Sequence, residues 1–569
     1  MIKDTNIKEW FKKNKSERNN KIAKILDVEY AHIKLQNKDD LYITSQGLPF
    51  IEHLKPENFL TDEKWFQKNS KCLSGTSSVY KVRTKKVNGI HKDIVIKWNR
   101  MGQNIPGADD RDDLICAEFN SPFEEFSLVV ELRNAVLGSP ITITIQKPLA
   151  IYVPLEPVEI WQSGRKEYKM QYKIDSHKEI ALDMHRSYAV IYEWIEGIDA
   201  VQACDKHIIN DKRMRSLTLD ADKKMKKKGF VVRDNKPHHV IVRPKKKKEL
   251  ARDQKGKILY GLVDFELLER TPHREKIAQK DKRADYLRRQ RDRFFGDDPN
   301  EFHPHLHHVN ILGVEYVYGH VESTKGRLWV VGRDPHLFDY FLPERWEQIP
   351  KTKISVFNDM YYTISKDNIH LAWKVSKVGI KPDADPYKED EKRILEYGYN
   401  TPFEEVAIAL ELSRKGIPTI YPRAIYMSSN KTKISDSLSD SSRYDMYKAF
   451  VTPDRVALLK KNRDYISIWG YWNGPDEKLA AKDSDYYEGI DTLRAYKQGI
   501  ITEKQYYELL QIAKERLFQA GFEDLNFRGN HLLISFDSKK NLIVDSEGIP
   551  ELRICNFEFL KKNNLKVKA

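Results

Sequence analysis

Apolar and polar residues alternate through residues 93–99 (DIVIKWN), which predicts a strand with one face in a core and Lys97 on the other. Residues 188–197 (YAVIYEWIEG) form a nearly continuous apolar run, read as a buried strand that leaves the core at Glu193, with Gly197 ending the connection. Between two strand-like runs, residues 73–82 (LSGTSSVYKV) place Gly75 and small hydroxyl residues in a turn. At 121–124 (SPFE) the pattern changes to a helix start: Ser121 as N-cap, Pro122 in the first helical position and Glu124 closing a capping box. Residues 401–404 (TPFE) repeat it. Residues 273–295 (HREKIAQKDKRADYLRRQRDRFF) read as a charged, solvated helix. Both helices and strands are therefore expected along the chain.

The same blocks occur twice in the same order. ILDVEY (25–30) returns as ILGVEY (311–316), and LYITSQGLPFIEHLKPENF (41–59) as LWVVGRDPHLFDYFLPERW (328–346). NSPFEEFSLVVEL (120–132) returns as NTPFEEVAIALEL (400–412), KPLAIYV (147–153) as YPRAIYM (421–427) and YEWIEG (192–197) as WGYWNG (469–474). Each copy closes with VDFELLER (263–270) or CNFEFLKK (555–562). A period of about 280 residues is too long for a solenoid and implies duplication of a whole domain. The expected organisation is a polar tail over 1–20, a first unit over 21–270, a charged helical linker with a His-rich loop over 271–308 and a second unit over 309–569.

No apolar run approaches the ~18 residues that span a bilayer, and the first twenty residues lack the apolar stretch of a secretory signal. Four scattered cysteines without a C-x-x-C pair speak against a zinc ribbon or a disulfide framework, so a reducing cytoplasm is expected. The formal charge of +14 points to an acidic partner: nucleotide, nucleic acid, an anionic membrane face or a phosphorylated substrate. The lysine runs 223–228 and 245–248 lack interleaved aromatic residues, which favours a solvated face over nucleic-acid binding. HPHLHH (303–308) has no Cys or Glu at ligand spacing and reads as a linker rather than a metal site.

The chemistry gathers in GFVVRDNKPHHVIV (229–242) and its gapless counterpart GFEDLNFRGNHLLI (521–534). Glycine turn, strand lysine, helix glutamate, strand-to-hinge run, Asp-x-Lys-Pro loop and Asp-Phe follow one another over about residues 70–270. This order resembles the protein-kinase-like fold, with a degenerate echo over 350–560. Arg233, Asp234, Lys236 and Pro237 match its catalytic loop. His239 stands where typical members have an Asn, and Glu266 where they have the Gly of Asp-Phe-Gly. A His five residues after the loop Asp also resembles the bacterial lipopolysaccharide-core (heptose and Kdo) kinases.

The resemblance implies an α+β fold of two bilobal kinase-like domains in tandem, each preceded by a short strand-rich segment (21–60 and 309–346). For the first unit it implies ATP with Mg2+ or Mn2+. Gly75, Lys97 and the hinge residue Glu193 would contact nucleotide, and Glu125 would hold Lys97, with Glu131 as the other candidate. Asp264 and His239 would face the metal, Asp234 would take the acceptor's proton, and Lys236 would steady the transferred group. In the second unit Lys374 and Glu405 persist, and His531 matches His239. Asn526, Arg528 and Asn556 replace Asp234, Lys236 and Asp264. An amide has a carboxylate's shape without its charge, so this copy reads as a pseudokinase that braces or regulates the first. The acceptor is left open between a saccharide, a glycolipid and a protein, and membrane association would be peripheral. The competing reading is a catalytically silent tandem scaffold that binds an anionic partner, with Asp234 and Asp264 as turn-capping acids.

Overall fold

The larger sheet of the first unit is built from strands rich in aromatic and β-branched residues, its central strands buried on both faces. In the computed structural model, which describes residues 7–13, 20–73, 78–106, 117–136, 143–177, 180, 182–245, 249–254, 256–295, 305–355, 359–431, 435–461, 463–472, 488–537, 539, 541–544 and 548–563, the chain divides into two compact units, Met1–Ala278 and Gln279–Ala569. Both combine helices with a large antiparallel sheet, an α+β architecture.

The strands of the first unit are β1 (Asn20–Ile25), β2 (Val28–Lys34), β3 (Asp40–Thr44), β4 (Ser70–Cys72), β5 (Val79–Arg83), β6 (Asp93–Trp98), β7 (Ile143–Ile145), β8 (Pro148–Val153) and β9 (Ala189–Glu193). Eight of them lie side by side in the order β1-β2-β3-β8-β9-β6-β5-β4. The strand-rich segment from residue 21 therefore belongs to this sheet, through the pairing of β3 with β8, and is not an element apart. Strand β7 joins Ile198–Asp199, Val240–Val242 and Tyr260–Leu262 in a separate, smaller sheet. The second unit's large sheet has the corresponding order: Leu306–Ile311, Val314–Val321, Gly326–Val331, Tyr421–Lys431, Arg463–Gly470, His370–Val375, Met360–Ile364 and Lys351–Lys353.

Helix Pro122–Val136 buries Phe123, Phe126, Val129 and Leu132, at every third residue, a stripe that winds around the helix. Phe123 meets Tyr30 and Tyr42 edge-on with ring centroids 5.8 and 5.1 Å apart, and Phe126 tilts against Tyr192 at 5.2 Å. Each such burial stabilises by about 1.5–3 kcal/mol, which fixes the helix against the sheet before any polar contact is considered. Both expected capping boxes form. Glu124 N–H donates to Ser121 Oγ at 3.2 Å and Ser121 N–H to Glu124 Oε2 at 2.7 Å; Thr401 and Glu404 make the same pair at 3.1 and 2.7 Å. Replacing Thr401 with Ala is expected to cost about 1 kcal/mol, read as a small drop in the thermal midpoint of the second unit; an unchanged midpoint would remove the box from the account.

The charged segment forms helix Pro272–Asp292, but it is not solvated all round. Arg283, Tyr286 and Gln290 are buried, and Tyr286 packs on Tyr340 and Phe341 of the second unit's core. The residues after it also depart from expectation: His307 and His308 lie in a strand rather than a loop, while His303 lies outside the described residues. Among the described residues no group of three or more His, Cys, Asp or Glu side chains is placed to hold a metal ion. Cys72, Cys204 and Cys555 are free thiols. No described helix is long and apolar enough to cross a membrane.

Candidate functional site

Strand β6 lies in the interior of the large sheet, between β9 and β5, and carries Lys97 at 5% exposure. An ammonium so deep requires paired carboxylates. It has them in Asp264, with which it forms a short ion pair, and in Glu266, whose Oε2 lies 2.8 Å from Nζ. Burial works against the charged lysine, and Asp264, Glu266 and Glu125 outweigh it, so the ammonium is held well above its ordinary range. For Asp264 burial is likewise outweighed, chiefly by Lys97 and His239, and its carboxyl is held well below the usual range. Glu266 also feels Lys97, but there burial wins and its carboxyl is raised. One cation thus serves two acids, and Asp264 takes the larger share.

Local backbone aims these groups. Asp264 sits at φ +67°, a left-handed conformation that is unfavourable for a residue with a Cβ. The catalytic-loop candidates lie between strand Phe230–Val232 and the 3-10 turn Pro237–His239. Lys236 Nζ donates to Asp234 Oδ2 at 2.9 Å. His239 N–H donates to the Lys236 carbonyl, and His239 Nε2 lies 3.4 Å from Asp264 Oδ2. Lys97, Asp264 and His239, far apart in sequence, are therefore one connected cluster, with Asp234 and Lys236 on the loop that supplies His239.

The expected pair of Lys97 with Glu125 is not formed. Glu125, 1% exposed, accepts the Tyr192 hydroxyl at 2.7 Å, and its other oxygen is buried without a hydrogen-bond partner. Burial pushes its carboxyl up to about 7 despite Lys97. The alternative, Glu131, is taken by Arg270 and Arg274 at 2.7 and 2.9 Å. Glu193 turns its carboxylate to Lys92 and Lys147, at 2.5 and 2.8 Å, while its carbonyl accepts the Gln146 side-chain amide at 3.3 Å. Gly75 lies outside the described residues. Two cavities, of about 310 Å3 beside Glu193 and Trp194 and about 710 Å3 beside Lys415 and Arg516, contain none of the clustered residues.

In the second unit Lys374 does meet the helix glutamate: Glu405 Oε1 lies at 3.0 Å and Glu558 Oε1 at 3.2 Å. Arg528 donates to Asn526 Oδ1 at 2.9 Å, the counterpart of the Lys236–Asp234 contact. Asn556 Nδ2 lies 3.1 Å from His531 Nε2, and His531 Nδ1 lies 3.0 Å from Asp524 Oδ2. The amide is the donor to Nε2, so the imidazole proton is on Nδ1 and faces the carboxylate. The first unit has Val232 where Asp524 stands, and His239 Nδ1 is buried without a hydrogen-bond partner. The sequence reading missed Glu266, Glu558, Tyr192 and Asp524. Only the two glutamates left a signal, the same residue two places after the Asp or Asn of both closing blocks.

No protein-family model matches the chain, and no curated protein matches it. Among solved structures it is similar to the BubR1 kinase domain, at 12% identity and a TM-score of 0.22, over 46% of this chain and 57% of that one. The chain thus spans less than two thirds of that domain.

Proposed function

We propose that the first unit is an ATP-dependent phosphotransferase acting on a hydroxyl of a saccharide, glycolipid or protein. The second unit would be a duplicated, kinase-like copy that lost its acids and braces or regulates the first. The observation that carries this reading is the single cluster of Lys97, Asp264 and His239, joined by a short turn to Asp234 and Lys236.

The donor chemistry fits a divalent cation. Asp264 offers an oxygen and His239 an imidazole, and the buried polar atoms nearby (His239 Nδ1, Glu125 Oε2) leave the site short of partners. Two protein ligands are what a nucleotide-bound cation needs when phosphates and water complete its shell. The nitrogen suits manganese better than magnesium. When bound, the ion would neutralise charge on the phosphate oxygens. Lys97 would contact phosphate oxygens, Asp234 would orient the acceptor hydroxyl and accept its proton, and Lys236 would neutralise the transferred group. The second reading, a silent scaffold, is favoured by one fact: Lys97 is already paired with two carboxylates, and phosphate would have to displace one of them.

Calorimetric titration of a non-hydrolysable ATP analogue, with magnesium and then manganese, separates the two. Metal-dependent binding by the parent and by Lys374→Ala, lost in Asp264→Asn, is the expected result. No binding by the parent with either metal would leave the scaffold.

A further inference from the structure

Of the three carboxylates around Lys97, the one left out of an ion pair is the one on the helix. Glu266, 3% exposed, reaches Lys97 with Oε2 at 2.8 Å and Arg100 with Oε1 at 3.4 Å. Its carbonyl accepts the Asn120 N–H at 2.9 Å, directly before the cap of helix Pro122–Val136. One residue therefore ties the strand of Lys97, the loop after it and the start of the helix to the Asp-Phe-Glu turn. In the second unit the Glu558 carbonyl accepts the Asn400 N–H at 2.9 Å, and Glu558 stays 3.2 Å from Lys374. That unit has exchanged both catalytic acids for amides and kept this glutamate. A group retained where those acids are gone has a task of its own.

We infer that Glu266 is the positioning residue for Lys97, anchoring its ammonium beside the Asp-Phe-Glu turn when Asp264 turns from the lysine to a cation, and that Glu558 anchors Lys374 in the same way. Asp264 gives Lys97 its Oδ1 and holds Oδ2 beside His239, so a cation that engaged both oxygens would draw the carboxylate from the lysine. A lysine with four rotatable bonds and no second anchor would then lose its position. Glu266 prevents this because it rides on the same turn and is itself fixed by Arg100. The purpose assigned here rests on the phosphotransferase reading; the anchoring does not.

The test is limited acetylation of the whole, nucleotide-free protein, without and with saturating manganese, by an amine-acylating ester, read lysine by lysine by mass spectrometry; the comparison with manganese decides. Parent, Glu266→Gln, Glu266→Asp and Glu125→Gln are compared. Losing a charge-assisted contact of this kind is expected to raise the acetylation rate of Lys97 about tenfold in Glu266→Gln. A smaller rise is expected in the shortened Glu266→Asp, which keeps the charge, and none in Glu125→Gln. Lys374 is the internal reference and is expected to be unchanged in all three. Equal exposure of Lys97 in Glu125→Gln, or no change in both Glu266 variants, overturns the inference. So does a general rise that includes Lys81 and Lys92, because that pattern is loosening of the sheet. The labelling decides the anchor whatever the nucleotide titration gives: a parent that binds no nucleotide defeats the phosphotransferase reading alone.

Discussion

Replacing Lys97 with Met is expected to destabilise the first unit by about 3–5 kcal/mol, the cost of leaving the buried Glu266 and the half-buried Asp264 without their cation. For a unit of this size that is a fall of roughly 6–20 °C in the thermal midpoint. The reason is the imbalance around the ammonium. Asp264 and Glu266 both pair with it, Glu125 lies in its field, and beyond Lys97 the acids have Arg100 beside Glu266 and His239 beside Asp264. Methionine fills the space of the lysine stem and offers nothing to the acids. Scanning calorimetry of parent and variant checks this, with Lys97→Met/Glu266→Gln as the decisive companion. The double variant should recover part of the loss, because contacting residues are not additive. If the single variant melts with the parent, the acids of that cluster are not held by Lys97 and the cluster has been misread.

Glu125 governs the second large effect, and its sign is opposite. Burial, the largest influence, outweighs Lys97 and the Tyr192 hydroxyl, with Glu266 and Asp264 adding to it, and raises the carboxyl from 4.5 to about 7. Between those values the folded protein keeps a proton that the unfolded chain has released. The unfolded state therefore binds fewer protons, and stability falls as pH rises through that window. At about 1.4 kcal/mol per unit the full loss approaches about 3 kcal/mol by pH 7 and stays constant above it. Glu125→Gln removes the titration and keeps an oxygen for the Tyr192 hydroxyl. The variant should match the parent near pH 4.5 and exceed it by up to about 3 kcal/mol at pH 8, measured by denaturant unfolding across the range. Parallel stability curves would show that Glu125 is ionised at no cost.

What the sequence disclosed was what short stretches decide. Ser121, Pro122 and Glu124 form a capping box because all its atoms lie within one turn, and the alternation around Lys97 needs only the period of a strand. The partner of Lys97 was another matter. Glu125, Glu131 and Glu266 all carry the right charge, and the choice among them is made by the turn at Asp264, by Arg270 and Arg274 capturing Glu131, and by Tyr192 capturing Glu125. None of these has a local signature. The helix Pro272–Asp292 shows the same limit: its charges hide the buried positions Arg283, Tyr286 and Gln290, three and four residues apart. The expectation at Gly75 falls on residues the structure does not describe.

The large sheet of the first unit has a consequence for the order of events during synthesis. Strands β1, β2 and β3 pair as a meander within the first 44 residues, but the free edge of β3 finds its neighbour only when Ile43 pairs with Ala150. At the usual 5–20 residues per second, the intervening hundred or so residues take about 5–20 s to make. For that interval an apolar strand with an open row of amides and carbonyls is available to any other nascent chain. The pace of the ribosome across residues 45–150, rather than the final stability of the unit, sets how long this template is exposed.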